Sequence, residues 1–416
     1  MADLKNYKKD IYRCIHCKAC RFAYSGEPNK SGYGEYWGMV HGCPAGNLNE
    51  WEAYWGSGKL WIIRAIMEKN LELTEEERDI LFQCPECGNC EVQCDNLIPT
   101  TKIIEEARAA YVQKGLPLQE RHKLFSESIE ENNNPYREPH KDRTKWFSGE
   151  KNKKADVGYF VGCTSSYRLQ DIASATAGLL GKLAENFAVF EDEVCCGSPL
   201  LRTGQRREAE RLIRSNAKLF KEAGIKELVF SCAGCYRTFK VDYPQYVGEL
   251  PFAVKYVTEY VYEKIKNGRL KIAGRYDKKV TWHDPCHSGR HITLHAREKM
   301  DRKQYREFSE EWYAMPKKVL TSIPGVEYKE MYRVGENSWC CGAGGGVKSG
   351  YSNLALETAK ERIKEAEDVG ADALVTACPF CYLNLRDATK DAGSKIEVVD
   401  LLKLLDSVTQ QDRLID

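Results

Sequence analysis

The sequence lacks most of what would direct a chain to a bilayer, a nucleic acid or the cell exterior. It has no run of about eighteen apolar residues, so no segment is expected to span a membrane. The opening MADLKNYKKDIYRC contains no apolar stretch of the kind that marks a secretory leader. Lysine and arginine total 62 against 61 aspartates and glutamates, a net charge of +1. That balance gives no electrostatic case for nucleic acid or an anionic membrane as the principal partner. No dinucleotide-binding fingerprint and no flavin motif occurs. The glycine run GAGGGVKSG lacks the GK[ST] ending of a phosphate loop and reads as backbone packing around the cysteine pair before it. Hydrophobic content of 42% and charged content of 30% are ordinary for a globular protein, and 416 residues suffice for two or three domains.

Cysteine, in contrast, is abundant: 18 residues, yet too sparse for a small disulfide scaffold. Without a leader, the chain is expected in a reducing cytoplasm, where clustered cysteines bind metal or do redox work. The cysteines fall into four groups with none left over: Cys14, Cys17, Cys20 and Cys43; Cys84, Cys87, Cys90 and Cys94; Cys163, Cys195, Cys196, Cys232 and Cys235; Cys286, Cys340, Cys341, Cys378 and Cys381.

The second group, CPECGNCEVQC, has the C-x2-C-x2-C-x3-C spacing of bacterial ferredoxins, in which three thiolates wrap one [4Fe–4S] cube and the fourth reaches its neighbour. The first group, CIHCKAC, supplies three ligands but has Tyr24 where the fourth belongs; Cys43, followed by Pro44, restores it, displaced by an insertion that leaves 22 residues between Cys20 and Cys43. The crossed pattern then gives Cys14, Cys17 and Cys20 with Cys94 to one cluster, and Cys84, Cys87 and Cys90 with Cys43 to the other. Structural zinc is the plainer alternative, but eight ligands in two triple runs suit cubanes better.

The surrounding pattern is helical. WIIRAIMEKNL has helical spacing, Thr74 and Glu77 form a capping box ahead of Cys84, and TTKIIEEARAAYVQKG is an amphipathic helix closed by Gly115. A polar stretch over 127–156 reads as a connector, which sets the expected domains at 1–126, 157–275 and 276–416.

Beyond the connector the sequence repeats itself. VGYFVGCTSSYR answers to VTWHDPCHSGRH, VCCGSPLLRTG to WCCGAGGGVKSG, and GIKELVFSCAGCY to GADALVTACPFCY. The gap from the double cysteine to the C-x-x-C pair is 35 residues in one copy and 36 in the other. This is a duplicated domain. Each copy alternates strands (VGYFVG, LVFS; KVTWH, ALVTA) with amphipathic helices that stop at glycine, which predicts parallel sheets covered on both faces. Cys163, Cys232, Cys286 and Cys378 fall just past the strands, at the carboxyl edge where such sheets bind ligands. The expected fold is thus α+β multi-domain: a helical ferredoxin-like domain, then two α/β domains.

A cubane wants four thiolates, yet each repeat offers five. Two adjacent cysteines can reach neighbouring irons of an altered cluster, with Gly197 and Gly342 letting the backbone close in. This pattern resembles the CCG domain of heterodisulfide reductases, and the whole layout is similar to their D-type subunit. The resemblance implies a noncubane [4Fe–4S] cluster on each quintet, Cys163, Cys195, Cys196, Cys232 and Cys235 in one, Cys286, Cys340, Cys341, Cys378 and Cys381 in the other. It implies an oxidoreductase subunit of anaerobic metabolism that passes single electrons through two cubanes to two noncubane clusters, which cleave a disulfide into two thiols. Having no flavin of its own, the chain would exchange electrons with a flavoprotein or membrane cytochrome, and through such a partner it could sit at the inner face of the membrane. The alternative is a relay subunit of an acyl- or aryl-CoA reductase or a flavin-dependent 2-hydroxyacid dehydrogenase.

Weaker signals surround Cys286. His283, His287 and His291 are four residues apart; His283 and His287 are candidate proton donors to product thiolates, or else hydrogen-bond a strand-to-helix turn. Arg168, Arg290 and Lys348 are candidate holders of an anionic substrate, or are simply solvated.

Overall fold

The computed structural model describes residues 3–24, 38–183 and 186–409. The amino-terminal region is helical, with helices at Gly56–Met67, Glu75–Phe82 and Thr100–Gln113 packed on a core that includes Ile63, Leu81, Phe82, Ile103 and Tyr111. The capping box forms as expected: Thr74 N donates to Glu77 Oε2 at 2.9 Å, and the Thr74 hydroxyl oxygen accepts from Glu76 N. Most of the insertion between Cys20 and Cys43 lies outside the described residues. Its two ends are β1 (Phe22–Tyr24) and β2 (Met39–His41), an antiparallel pair whose register places Phe22 opposite His41. That ribbon returns the chain, so that Cys43 caps the short helix Pro44–Asn49 close to where the insertion began.

Two four-stranded parallel sheets follow. The first has the order β4 (Phe187–Ala188), β3 (Val157–Phe160), β5 (Glu227–Phe230), β6 (Ala253–Tyr256). The second runs β8 (Glu327–Tyr328), β7 (Lys279–Trp282), β9 (Ala373–Thr376), β10 (Glu397–Asp400), the same topology strand for strand. The duplication seen in the motifs therefore extends to the fold. The central strands are buried on both faces, as a parallel sheet between helices requires. The helices Arg206–Glu222 and Ser352–Asp368 occupy matching places and end ahead of Gly224 and Gly370, both at positive φ.

The repeats pack face to face by exchange. The helix Gln170–Leu183 of the first lies on Leu401–Val408 of the second, and Arg302–Thr321 of the second lies on Val257–Lys266 of the first. One hydrophobic core runs through both. The connector stretch 127–156 is well anchored: it holds the end of the helix Glu120–Asn132 and buries Ile129, Asn134 and Arg143. No helix among the described residues is long and apolar enough to cross a membrane.

Candidate metal centres

The two ferredoxin-type loops wrap alike. In CIHCKAC the left-handed residues are His16 and Lys18; in CPECGNC they are Glu86 and Gly88, at the same two places between cysteines. Each loop thereby brings its three thiols within electrostatic reach of one another. Backbone N–H groups already aim at the sulfurs: Ser57 N at Cys20 Sγ (3.2 Å) and Glu86 N at Cys84 Sγ (3.4 Å). Cys43 lies in the field of Cys84 and Cys87, and burial pushes its thiol up to about 12. The Cys94 turn is tied back to the first loop by Asn96, whose side chain donates to Arg13 O at 2.9 Å, one residue from Cys14.

Each quintet forms a continuous chain of thiol contacts. In the first repeat Cys163 meets Cys195, Cys196 meets Cys235, and Cys235 meets Cys232. In the second Cys286 meets Cys340, Cys341 meets Cys381, and Cys381 meets Cys378. Gly197 and Gly342 both stand at positive φ, but only at Gly342 would a Cβ collide, 2.7 Å from Ala355 O. The quintets also meet one another, since the Cys232 and Cys378 thiols lie close enough across the repeats to shift each other's ionisation. A cavity of about 370 Å³ lies between them, lined by cysteines of both sets with Tyr136, Phe380 and His287.

The second quintet has a further contact. Cys87 of the ferredoxin-type loop packs with Cys286 and Cys340, and its hydrogen bond with Cys340 holds Cys87 down to about 6. The repeat clamps this loop: Arg290 Nε donates to Cys87 O (2.6 Å), and His291 Nε2 lies 2.6 Å from Glu86 O. Gly345 allows the approach, because a Cβ there would fall 2.4 Å from Cys84 O. The glycine run thus serves as a backbone-to-backbone seat on the ferredoxin-type loop. From the opposite side, the buried Arg108 guanidinium donates to Cys84 O (2.6 Å), Gly345 O (2.9 Å) and Arg202 O (2.7 Å), and pairs with Glu86 at 2.6 Å.

The surroundings of the two quintets differ. Around the first, Arg143 Nη1 reaches Cys163 Sγ at 3.6 Å and pairs with buried Glu193, whose carboxylate also accepts from Val161 N and Gly162 N at 2.9 Å each. Around the second, His283 stands with Cys341 and Cys381, their ligand atoms all within 4.8 Å of one another. Arg362 Nε donates to His283 Nδ1 at 3.3 Å, leaving the buried Nε2 without a hydrogen-bond partner. His287 lines the cavity, also with Nε2 unpartnered, and burial lowers it to about 4. The candidate anion holders separate: Arg290 is a buried clamp, Arg168 pairs with Glu138 near the surface, and Lys348 borders the cavity while paired with Asp387 at 2.7 Å.

Several residues of these surroundings carried no signal in the sequence. Lys59 is 1% exposed beside Cys43 and Cys84, and Arg143 sits inside a stretch that reads as polar connector. A lysine or arginine has the same letter whether solvated or buried, so nothing short of packing distinguishes them.

These residues fit iron–sulfur groups. All eighteen thiols are free. Hydrogen bonds within the first quintet hold Cys196 down to about 6 while they raise Cys163 and Cys235. Five thiols in a row, four of them buried in the first repeat and all five in the second, cannot all ionise unless a cationic group stands among them. Buried guanidiniums and amide N–H donors around the sulfurs match the outer layer that tunes such centres.

Comparison with known proteins agrees. Residues 10–98 match the 4Fe-4S dicluster domain, and residues 157–240 and 280–386 match the cysteine-rich CCG domain. The chain is 40% identical over 80% of its length to the D-type subunit of the dihydromethanophenazine:CoB--CoM heterodisulfide reductase of Methanosarcina acetivorans, covering 78% of that protein. It is 31% identical over 80% of its length to the B-type subunit of the CoM/CoB fumarate reductase of Methanothermobacter marburgensis, covering 62% of that protein. Among solved structures, a hypothetical protein from Helicobacter pylori shares the fold, with a TM-score of 0.52 at 12% identity over 85% of this chain and 67% of that one.

Proposed function

Since the chain belongs to the family of heterodisulfide reductase D-type subunits, which are iron–sulfur oxidoreductases, we propose that it reduces a disulfide in the cavity between its two repeats. Cys14, Cys17, Cys20 and Cys94 hold one cubane, and Cys84, Cys87, Cys90 and Cys43 the other. Cys163, Cys195, Cys196, Cys232 and Cys235, and then Cys286, Cys340, Cys341, Cys378 and Cys381, each hold a noncubane centre. Bound there, these groups supply single electrons and, at the quintets, iron that accepts sulfur.

The protein's own part is to bring both sulfurs of one substrate to both quintets. The reaction is RS–SR′ + 2e⁻ + 2H⁺ → RSH + R′SH. The observation that carries this reading is the shared cavity, with Cys232 and Cys378 in contact between the repeats. A simple relay needs no opening at its last two centres, whereas this cavity runs beyond the thiols to Tyr136, Phe380 and Leu383. Apolar walls from Phe125, Phe380 and Leu383 keep water from the sulfurs. His287, neutral at pH 7, offers one ring N–H to a departing sulfur, and His283 offers its Nε2–H to the Cys341 side. Electrons come from a partner protein carrying flavin or haem.

The test is anaerobic reconstitution followed by iron analysis and turnover. About sixteen irons per chain are expected from four [4Fe–4S] centres. Reduced chain mixed with candidate disulfides should release two thiols per disulfide and show a thiol-dependent paramagnetic signal that is lost in Cys341→Ala. Full iron with electron exchange but no thiol release would make the chain a relay.

A further inference from the structure

Among the described residues, nine of the ten large hydrophobic side chains left exposed lie between Tyr12 and Leu97; the tenth is Met300. Soluble surfaces scatter such residues, and a concentration of them marks a contact surface. Several form one strip. Trp51 is 75% exposed beside Glu52, and Glu52 pairs with His16 at 3.0 Å. The His16 ring meets Trp61 at 5.0 Å, and Arg64 bridges Trp61 and Tyr12 by lying over both rings. Ile15, 73% exposed, and Cys17 flank His16. Cys17 is the one exposed cysteine of the eighteen.

The two ferredoxin-type loops share a wrap but not a cover. Loop Cys84–Cys90 is sealed by Arg290 and His291 of the second repeat, which seat on its carbonyls. The equivalent residues of the other loop, His16 and Cys17, meet no such cover from the rest of the described chain. The charges around the strip lean to one sign. Asp10 is paired with Arg13, Glu52 with His16 and Arg21, and Glu68 with Arg64, which leaves Glu50 beside Trp51 as an exposed acid without an ion pair among the described residues. Lys5, Lys9 and Lys18 are exposed and have no acidic partner among the described residues, and Lys8 lies over the Tyr12 ring.

We propose that this strip is the docking face for a one-electron redox protein with an acidic rim, which places its redox group against Cys17. The proposal rests on the assignment of an iron–sulfur centre to Cys14, Cys17, Cys20 and Cys94. Aromatic, methionine and arginine side chains anchor protein interfaces, while unpaired lysines at the rim steer an acidic partner and make association salt-dependent. Small contacts of this kind are typical of electron-transfer encounters.

The experiment compares the reconstituted full chain with Trp51→Ala and with Lys8→Glu/Lys9→Glu. Reduced flavodoxin serves as the acidic one-electron donor and dithionite as the small-molecule control, in stopped-flow mixing. The second-order rate with flavodoxin should fall about tenfold or more in the lysine variant, and the salt dependence seen in the native chain should flatten. Trp51→Ala should slow flavodoxin as well, while dithionite rates and iron content stay unchanged in both. Equal flavodoxin rates in all three chains would overturn the proposal. So would Trp51-dependent sedimentation with anionic lipid vesicles, or Trp51-dependent self-association, in place of the flavodoxin effect. Normal reduction by flavodoxin, with the expected losses in the variants but no disulfide turnover, would sink the disulfide reading and leave the docking face standing.

Discussion

The two carboxy-terminal repeats share strand order, cysteine set and glycine stops, yet they are wired differently. The second touches the ferredoxin-type loop through Cys340, which packs on Cys87; the first meets it through Arg202, whose side chain lies 3.9 Å from Glu86. The buried charge differs as well. Glu193 answers to Ser338 and Phe160 to His283, so the first quintet has an Arg143–Glu193 pair and a wall of phenylalanines, whereas the second has His283 held by Arg362. A duplicated framework has thus kept the fold and the thiols while its two copies diverged in what surrounds them. The difference teaches that a thiol of the second quintet abuts the ferredoxin-type loop, whereas the first repeat meets that loop through a guanidinium.

The largest effect should come from the contact between repeat and ferredoxin-type loop. Cys340→Ser should slow reduction of both quintet centres and cut disulfide turnover by more than the about 10–100-fold that outer-layer changes cost metal sites. Cys163→Ser should abolish turnover to a similar degree yet leave reduction of the remaining centres fast in stopped-flow absorbance. Identical reduction kinetics in the two variants would erase the asymmetry.

Next comes the buried Arg143–Glu193 pair of the first repeat, where the second instead sets Arg362 on Glu365. Arg143→Met strands the Glu193 carboxylate in the core and should cost about 3–5 kcal/mol in guanidinium unfolding, while the double change Arg143→Met/Glu193→Gln should recover much of it. A single variant as stable as the native chain would show that the pair does nothing of the kind.

Copying the first repeat into the second by His283→Phe should lower iron retention or turnover about 10–100-fold, because the ring nitrogen beside Cys341 is lost. Iron content and rate equal to native would reduce His283 to filler.

A smaller contrast lies at the last strand, where Tyr256 of the first repeat answers to Asp400 of the second. Burial raises the Asp400 carboxyl from 3.8 to about 7, although its Oδ1 accepts from Leu402 N at 2.9 Å. Between those pH values the folded state holds the extra proton, so Asp400's contribution to stability declines as pH rises from about 4 to about 7. Asp400→Asn keeps a capping side chain and should be more stable than native above pH 7 by about 1–2 kcal/mol, with a flatter stability–pH curve. A parallel curve would count against this. The smallest effect should belong to the surface pair Lys403–Asp171, which crosses the repeats at 2.5 Å; Lys403→Met should cost well under about 1 kcal/mol in thermal unfolding.

Much of this architecture was legible along the chain. The four central strands β3, β5, β7 and β9 announce themselves as short β-branched runs, and the helices by their spacing and terminal glycines. The outer strands β4 and β8 do not, since two residues each are too few to show a period. β6 and β10 lie in matching tails, FAVKYVTEYVYEKI after the first C-x-x-C pair and IEVVDLLKLL after the second, which show the repeat more plainly than they show a strand. Arg143 and Lys59 read as solvated charge, because composition does not tell which cation the fold will bury.

Spacing, repetition and punctuation along the sequence determined the duplicated parallel sheets and the sorting of eighteen cysteines into two quartets and two quintets, since those features are written in short local runs and in the distances at which they recur. Only the tertiary structure decided that Cys43 would face Cys84 and Cys87, that Cys87 would touch Cys340, and that Cys232 and Cys378 would meet beside one cavity. Such meetings join segments up to some 250 residues apart, at Cys87 and Cys340, and are fixed by how helices and sheets pack rather than by any local pattern.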